Sequence, residues 1–250
     1  MTAALSMLSY VDSSVDCGRR YVCLPPAGGT LCTLREIVGA ATGFAVWGVE
    51  YPARGSRVAE PPPVTVEQLA EQVARELAGL FGPRWVARTV LVGFSMGAFV
   101  GLELARRVYA WCGAAPATLV VVGAVAPQRR VPGKYARTDA ATLTRLLDRH
   151  SPAPVTTSEA RDYALELLRV DLRLMSAYRG PADVTVPCAV VALCGEGDSA
   201  VADATTAWRS WATGSFSAGV VRGGHLGLLA PGRGAEFWAW MSRLVEAGDA

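Results

Sequence analysis

A serine near the middle of the chain stands in a pattern that would make it a nucleophile. The pentapeptide Gly93-Phe94-Ser95-Met96-Gly97 follows the apolar run 89–92 and precedes a helical pattern at 98–109. Glycines two places before and after a serine permit a sharp, strained turn between strand and helix, and this turn exposes the hydroxyl. Because three loosely specified positions also recur by chance, the inference depends on the flanking elements. Together they predict a nucleophile elbow in which Ser95 attacks an acyl carbonyl.

Two histidines could supply the base that a serine nucleophile needs. A serine hydroxyl is almost fully protonated at neutral pH, so an imidazole must take its proton and later return it to the leaving group. His225 follows the last predicted strand in a glycine-rich loop, which can bring it beside the elbow. His150 falls in a predicted helical lid and is expected to be solvated. We therefore predict that His225 is the base.

The carboxylate that orients this histidine should precede it in the chain and follow a strand. Asp198 lies a few residues beyond the apolar run 189–193, in the segment Cys194-Gly195-Glu196-Gly197-Asp198. Its carboxylate would fix the imidazole tautomer and stabilise the imidazolium. Glu196 and Asp203 are neighbouring carboxylates that could replace it. The predicted triad is therefore Ser95, Asp198 and His225, with Asp198 favoured as the acid.

Backbone N–H groups at two positions are candidates for an oxyanion hole. The N–H of Met96 directly follows the nucleophile, at the positive end of the next helix. The loop Leu24-Pro25-Pro26-Ala27-Gly28-Gly29 follows a predicted strand, and its paired glycines allow N–H groups to turn inward. A glycine-rich loop can also cradle phosphate, but here no P-loop lysine accompanies it. We predict that Ala27 and Met96 supply the two donors.

The elements that must position these residues alternate between strand and helix. Strands are predicted at 21–24, 45–50, 89–92, 118–122, 189–193 and 217–221, and helices at 31–40, 64–80, 98–109, 202–211 and 235–245. Alternation of this kind implies a parallel sheet with helices on both faces. Continuous apolar strands agree, because parallel strands are buried on both sides. The predicted fold class is α/β, a mostly parallel sheet flanked by helices, in a single domain over residues 1–250.

One region breaks the alternation. Between about residues 127 and 187 no strand is evident, but helical patterns occur at 140–149 and 158–177. Ligands of open α/β sheets bind at the carboxyl ends of the strands, and a helical insertion there can cover them. An ordinary pair of packing helices is the alternative. We interpret residues 128–180 as a lid insertion.

Composition and charge limit the possible partners. The formal net charge is +2 without a basic stripe, which argues against nucleic acid. No apolar run reaches membrane-spanning length and no secretory signal is visible, so the expected location is cytoplasmic.

No histidine and cysteine cluster has zinc spacing, and no metal or other cofactor is predicted. The cysteines form no C-x-x-C motif, and we interpret them as reduced core residues; they are Cys17, Cys23, Cys32, Cys112, Cys188 and Cys194.

These residues resemble the stand-alone type II thioesterases of nonribosomal peptide and polyketide synthesis, within the α/β-hydrolases. The elbow is shared with lipases and esterases, so the segment 168–178, ending at Tyr178, is the more specific part of the likeness. The resemblance covers nearly the whole chain, in Pro25-Pro26-Ala27-Gly28-Gly29, Glu50-Tyr51-Pro52, Gly93-Phe94-Ser95-Met96-Gly97, residues 168–178, Gly195-Glu196-Gly197-Asp198, Trp208 and Gly223-Gly224-His225.

The resemblance implies a serine thioester hydrolase that removes acyl or aminoacyl groups from the phosphopantetheine arm of carrier proteins, in pathways that include siderophore synthesis. On this analogy Ser95, Asp198 and His225 form the triad, and the N–H groups of Ala27 and Met96 form the oxyanion hole. The implied partners are acyl or peptidyl carrier protein domains of a synthase, neither nucleic acid nor a membrane is implied, and a monomer is expected.

The chain departs from the family at positions outside the triad. Pro26 and Phe94 stand where members commonly have histidine, and Leu226 and Gly227 stand where aromatic residues commonly follow the catalytic histidine. The shape of the acyl pocket is therefore not implied. Two other functions are compatible with the pattern: a carboxylesterase or lipase that acts on free small molecules, and a non-catalytic binding module of the same fold.

Overall fold

A seven-stranded sheet forms the centre of the protein. The computed structural model describes residues 8–10, 19–82, 85–131, 133–135, 137–151, 154–181, 185–198 and 205–246. The strands are β1 Leu8–Tyr10, β2 Arg20–Leu24, β3 Ala45–Gly48, β4 Thr89–Phe94, β5 Thr118–Val122, β6 Ala189–Gly195 and β7 Phe216–Val221. Their spatial order is β1-β3-β2-β4-β5-β6-β7.

All pairs among the described strands are parallel except the pair at one edge. β1 runs antiparallel to β3, with Leu8 opposite Gly48, while the remaining neighbours pair in parallel. The predicted mostly parallel sheet is thus confirmed, and each of the six predicted strands is present. β1 was not predicted, because three residues are too few to show the alternation that identifies a strand.

Helices cover both faces of this sheet, as predicted. They are α1 Arg35–Gly39, α2 Val66–Phe81, α3 Met96–Cys112, α4 Ala140–His150, α5 Ser158–Ala177 and α6 Gly234–Glu246. The helix predicted at 31–40 begins with a 3-10 turn, Leu31–Leu34, before α1. The helix predicted at 202–211 is a 3-10 helix over Thr206–Trp211, and residues 202–204 lie outside the described residues.

Alternate residues of the central strand β4 enter two different cores. Val90, Val92 and Phe94 pack with residues of α1 and α6 on one face. Leu91 points to the other face, where it packs with residues of α2 and α3. Every residue of β4 is buried, as expected for a central parallel strand covered on both sides. This burial fixes the carboxyl end of β4, and therefore the turn that follows it.

The cysteine prediction is partly wrong. Cys23, Cys188 and Cys194 are buried and free, as expected for reduced core residues. Cys32, in the 3-10 turn Leu31–Leu34, and Cys112, the last residue of α3, are also free but exposed. Cys17 lies outside the described residues.

Candidate active site

The nucleophile elbow has the strained geometry that its glycines predict. Ser95 has φ +51° and ψ −108°, and its N–H donates to the carbonyl of Val122 at 2.7 Å. A Cβ on Gly93 would lie 2.3 Å from the Gly97 carbonyl oxygen, and one on Gly97 would lie 2.2 Å from that of Leu24. Side chains at these two positions would force strand and helix apart. The turn between β4 and α3 therefore requires glycine on both sides of Ser95.

The three residues of the predicted triad are joined by hydrogen bonds. His225 Nε2 lies 3.0 Å from Ser95 Oγ, and His225 Nδ1 lies 2.5 Å from Asp198 Oδ2. The side chains of His225 and Asp198 are 18% and 11% exposed, so both are largely shielded from solvent. The arrangement can move a proton from the serine to the neutral imidazole of His225, and the carboxylate can stabilise the imidazolium that forms.

The loops after β6 and β7 are bound to each other, which brings the acid to the histidine. The N–H of Glu196 donates to Val221 at 2.9 Å, and the N–H of Gly197 donates to Gly223 at 3.0 Å. The Glu196 side chain is exposed, whereas Asp198 contacts the imidazole. The geometry thus selects Asp198 over Glu196. The third candidate, Asp203, lies outside the described residues.

His150 is not the solvated residue that the sequence suggested. It ends α4, and its ring centroid lies 4.6 Å from that of His225. Its Nδ1 is buried and has no hydrogen-bond partner among the described residues. Burial, and after it the neighbouring His225, lowers the pKa of His150 to about 4. His150 is therefore a neutral wall of the site at pH 7, placed there by the fold of the lid region.

The two residues predicted to supply oxyanion donors line the same cavity as Ser95. Met96 is the first residue of α3, and first-turn N–H groups have no acceptor within their own helix. Ala27 lies in the loop after β2, where the N–H of Gly29 donates to Pro26 at 2.9 Å. The structure thus brings both residues to the nucleophile's cavity, and their role stays a prediction.

Sequence reasoning missed a buried ion pair beside this loop. Arg54 Nη1 lies 2.7 Å from Asp171 Oδ2, and Arg54 Nη2 lies 2.8 Å from Asp171 Oδ1. Burial by itself lowers the pKa of Arg54, but the bonds to Asp171 outweigh it and the pKa is raised. The sequence did contain a sign of this buried pair. Asp171 lies on the apolar stripe of α5 that Leu168, Leu172 and Met175 form at helical spacing. A carboxylate on an apolar stripe needs a partner.

A cavity of about 540 Å³ opens at Ser95, a volume typical of small-molecule sites. Its walls come from the sheet edge and from α4, α5 and the segment before them. Of the positions that depart from the family pattern, Pro26 and Leu226 line this cavity. Phe94 packs instead in the core beside Phe237. The departures at Pro26 and Leu226 therefore lie in the wall of this cavity, while the one at Phe94 lies in the core.

Three cations stand at the rim of this cavity. Lys134, Arg137 and Arg149 line it and are exposed, and none forms an ion pair within the described part of the chain. Their charges are thus available to an anionic ligand.

Neither a metal site nor a membrane span is found in the described ranges. No group of three or more His, Cys, Asp or Glu side chains there could hold a metal ion. None of the described helices is long and apolar enough to cross a membrane.

Comparison with known proteins identifies the family. The model of the thioesterase domain matches residues 19–237. Thioesterase PikA5 of Streptomyces venezuelae is 32% identical over 213 residues, which are 82% of this chain and 74% of that protein. A "Probable cadicidin biosynthesis thioesterase" of Streptomyces griseus is 30% identical over 229 residues, 90% of this chain. The match spans 62% of that relative's length.

A solved structure agrees in fold over almost the whole chain. The type II thioesterase BorB from the borrelidin biosynthetic cluster is 27% identical, with a TM-score of 0.80, and the match covers 98% of both chains. These findings confirm the resemblance predicted from the sequence. The chain therefore belongs to the thioesterase family of α/β-hydrolase fold, and within it to the type II thioesterases of nonribosomal peptide and polyketide biosynthesis.

Proposed function

We propose that this enzyme hydrolyses acyl and aminoacyl thioesters on the phosphopantetheine arm of carrier proteins, through an acyl-enzyme on Ser95. The observation that carries the proposal is the line of hydrogen bonds from Ser95 Oγ through His225 to Asp198, at 3.0 and 2.5 Å. A line of this kind provides a nucleophile, a base and an orienting acid.

In the first step His225 Nε2 takes the proton of Ser95 Oγ while Oγ bonds to the thioester carbonyl carbon. The N–H groups of Ala27 and Met96 stabilise the resulting oxyanion. The carbon–sulfur bond then breaks, and His225 returns the proton to the departing thiolate. Asp198 accepts from Nδ1–H throughout, which holds the tautomer and stabilises the imidazolium.

In the second step water hydrolyses the acyl-enzyme. His225 Nε2 takes a proton from the water as its oxygen attacks the ester carbonyl, and then gives the proton to Ser95 Oγ as the acyl bond breaks. Residues and water supply every proton and bond in this cycle, which requires no cofactor. Because the ring of His150 beside His225 is neutral, it adds no second positive charge next to the imidazolium.

The cavity rim fits a carrier-bound substrate. A phosphopantetheine arm brings a phosphodiester, and exposed Lys134, Arg137 and Arg149 offer the opposite charge at the cavity mouth.

We further propose that residues 128–180 act as a lid within a single domain of residues 1–250, and that the enzyme is a cytoplasmic monomer when no carrier protein is bound.

The direct test is Ser95→Ala. Release of acetyl groups from an acetylated carrier protein should fall by roughly 10⁴-fold or more, because the nucleophile is lost. A fluorophosphonate probe should label the wild type and fail to label this variant. Ser210→Ala, at an exposed serine outside the cavity, is the matched control and should keep full activity. Full activity in Ser95→Ala would overturn the mechanism, and absence of labelling in the wild type would favour a binding module.

A second experiment separates carrier-bound from free substrates. The same acetyl group is presented on a carrier protein and on N-acetylcysteamine, to the wild type and to Arg137→Glu with Arg149→Glu. We expect KM for the carrier substrate to rise about tenfold and KM for the small thioester to stay constant. Equal turnover of both substrates by the wild type, with no effect of the charge reversal, would favour an esterase of free small molecules.

A further inference from the structure

The loop at residues 25–29 is held by side chains from two distant segments. Tyr51 Oη donates to the carbonyl of Pro25 at 3.3 Å, and Arg54 Nη1 donates to that of Gly29 at 3.0 Å. The N–H of Gly28 donates to Asp171 Oδ2 at 2.8 Å. Bonds from both segments thus flank Ala27 along the chain, and they fix the backbone on either side of its N–H.

The ion pair of Arg54 and Asp171 is almost completely buried from solvent. The two side chains are 1% and 0% exposed, and two parallel N–H···O bonds join them. Removing two charges from water costs free energy that such a pair only partly recovers, so a buried pair is weak evidence of a stabilising role. Its geometric value is larger, because a fork of two bonds fixes both partners in distance and orientation.

Backbone strain accompanies Arg54. Ala53 and Gly55 on either side have φ +65° and +52°, and a Cβ on Gly55 would lie 2.2 Å from Glu50 Oε2. Among the described residues, the non-glycine residues with positive φ are Ala53 and Ser95. Such strain persists only where the surrounding structure enforces it, and it concentrates at functional sites. The turn that delivers Arg54 thus shares this property with the nucleophile elbow.

We propose that Arg54 and Asp171 are positioning residues that hold the N–H of Ala27 in place for the oxyanion, and that they fasten helix α5 to this loop. The inference rests on the proposed oxyanion role of Ala27. An oxyanion donor acts only when it is fixed before the reaction, since a donor that must reorganise loses most of its effect. Leu168 of α5 also packs closely against this loop, because its Cα lies only 3.2 Å from the position that a Cβ on Gly28 would occupy.

The test removes the bonds without leaving a charge buried alone. Arg54→Met with Asp171→Leu replaces the pair by apolar side chains, an exchange that buried ion pairs can tolerate. The variant is assayed for kcat and KM per active site titrated by fluorophosphonate, and for binding of phenylboronic acid, an analogue of the tetrahedral intermediate. We expect kcat and boronate affinity to fall together by about 100-fold, with KM within about twofold, because the loss concerns the transition state.

Two further variants make the result specific. Tyr178→Phe removes another buried bond of the α5 region, from Tyr178 Oη to Glu103 Oε1 at 2.9 Å, without touching the loop, and should keep kcat and boronate affinity within about twofold. Asp171→Asn can still accept from the N–H of Gly28 but turns its amide toward Arg54 Nη2, and should lose about three- to tenfold in both quantities. A smaller loss in Asp171→Asn than in the double variant would show that the effect depends on the hydrogen bonds at this position and not only on the volume of the side chain.

The outcomes decide the proposal independently of the natural substrate. Wild-type kcat and boronate affinity in the folded double variant would overturn it, as would an equal loss in Tyr178→Phe. If the double variant does not fold, Asp171→Asn decides, and no change in it overturns the proposal. If the wild type fails to hydrolyse carrier thioesters, the proposed function fails, while boronate binding still decides the role of Arg54 and Asp171.

Discussion

Helices α4 and α5 were predicted as one lid, but they are attached to the rest of the protein very differently. α5 buries six of its residues, Leu167, Leu168, Asp171, Leu172, Leu174 and Met175, whereas α4 buries Leu143 alone. α5 is also tied, through Asp171, to the loop at residues 25–29. α4 contacts α5 through a small apolar cluster and an exposed ion pair between Arg161 and Asp148.

The end of α5 has its own anchors. Arg130 donates to the carbonyls of Met175 and Tyr178, each at 2.6 Å, and Tyr178 bonds to Glu103 in α3. Regions with few buried contacts open at low free-energy cost, and regions with many open only with the whole domain. Within the proposed lid we therefore expect α5 to stay in place as a wall of the cavity, and α4, with His150 at its end, to be the part that moves.

The largest effect should follow loss of the α5 anchor. Arg54→Ala leaves the carboxylate of Asp171 buried without its partner, and we expect the free energy of unfolding to fall by about 3–5 kcal/mol. Denaturation in urea measures it. A loss below about 1 kcal/mol would mean that this pair does not hold α5, and the contrast between the helices would fail.

An intermediate effect should follow loss of the one buried side chain of α4. Leu143→Ala should cost roughly 2 kcal/mol, and amide hydrogen exchange should accelerate across α4 but not across α5. The matched variant is Leu172→Ala, which lies in the same cluster but on α5 and should lower only the global stability. Equal acceleration of both helices in Leu143→Ala would show that they open as one unit.

A smaller effect should appear as a pH dependence of stability. The pKa of His150 in the folded state is about 4, below the ordinary value of 6.5. Between these two pH values the unfolded state binds a proton that the folded state does not. Stability contributed by the neutral ring is therefore present above about pH 6.5 and lost as pH falls toward 4.

Comparison of the wild type with a His150→Asn variant isolates this residue from its neighbours. His225, Asp198 and Arg149 also face His150, so the measurement is the difference in slope between the wild type and His150→Asn in urea titrations. We expect the wild type to lose more stability than His150→Asn between these pH values. Parallel curves would mean that the ring is solvated and that α4 does not rest on His225.

The smallest effect should come from the exposed pair between the helices. The side chains of Arg161 and Asp148 are 33% and 54% exposed, so Arg161→Ala should cost only about 0.2–1 kcal/mol, and less at high salt. Denaturation at low and high ionic strength checks it. A cost above about 2 kcal/mol would place α4 among the firmly anchored elements.

The strand pattern and the elbow could be predicted because their causes are local. Apolar runs of strand length and glycines around Ser95 are readable within a few residues, and the six predicted strands appear within one to two residues of their expected bounds. The chain order of nucleophile, acid and base, together with its place after the last strand, likewise favoured His225, which lies beside Ser95 in the structure. These features follow from backbone sterics and burial, which a short segment already determines.

The sequence by itself thus determined the fold class, the elbow at Ser95 and a short set of possible partners for it. Only the tertiary structure decided that Asp198 rather than Glu196 meets His225, and that His150 lies against that ring. It alone joined Arg54 to Asp171, which are 117 positions apart. The physical reason is that hydrogen bonds and desolvation depend on which loops meet in space, and a local pattern carries no information about such distant contacts.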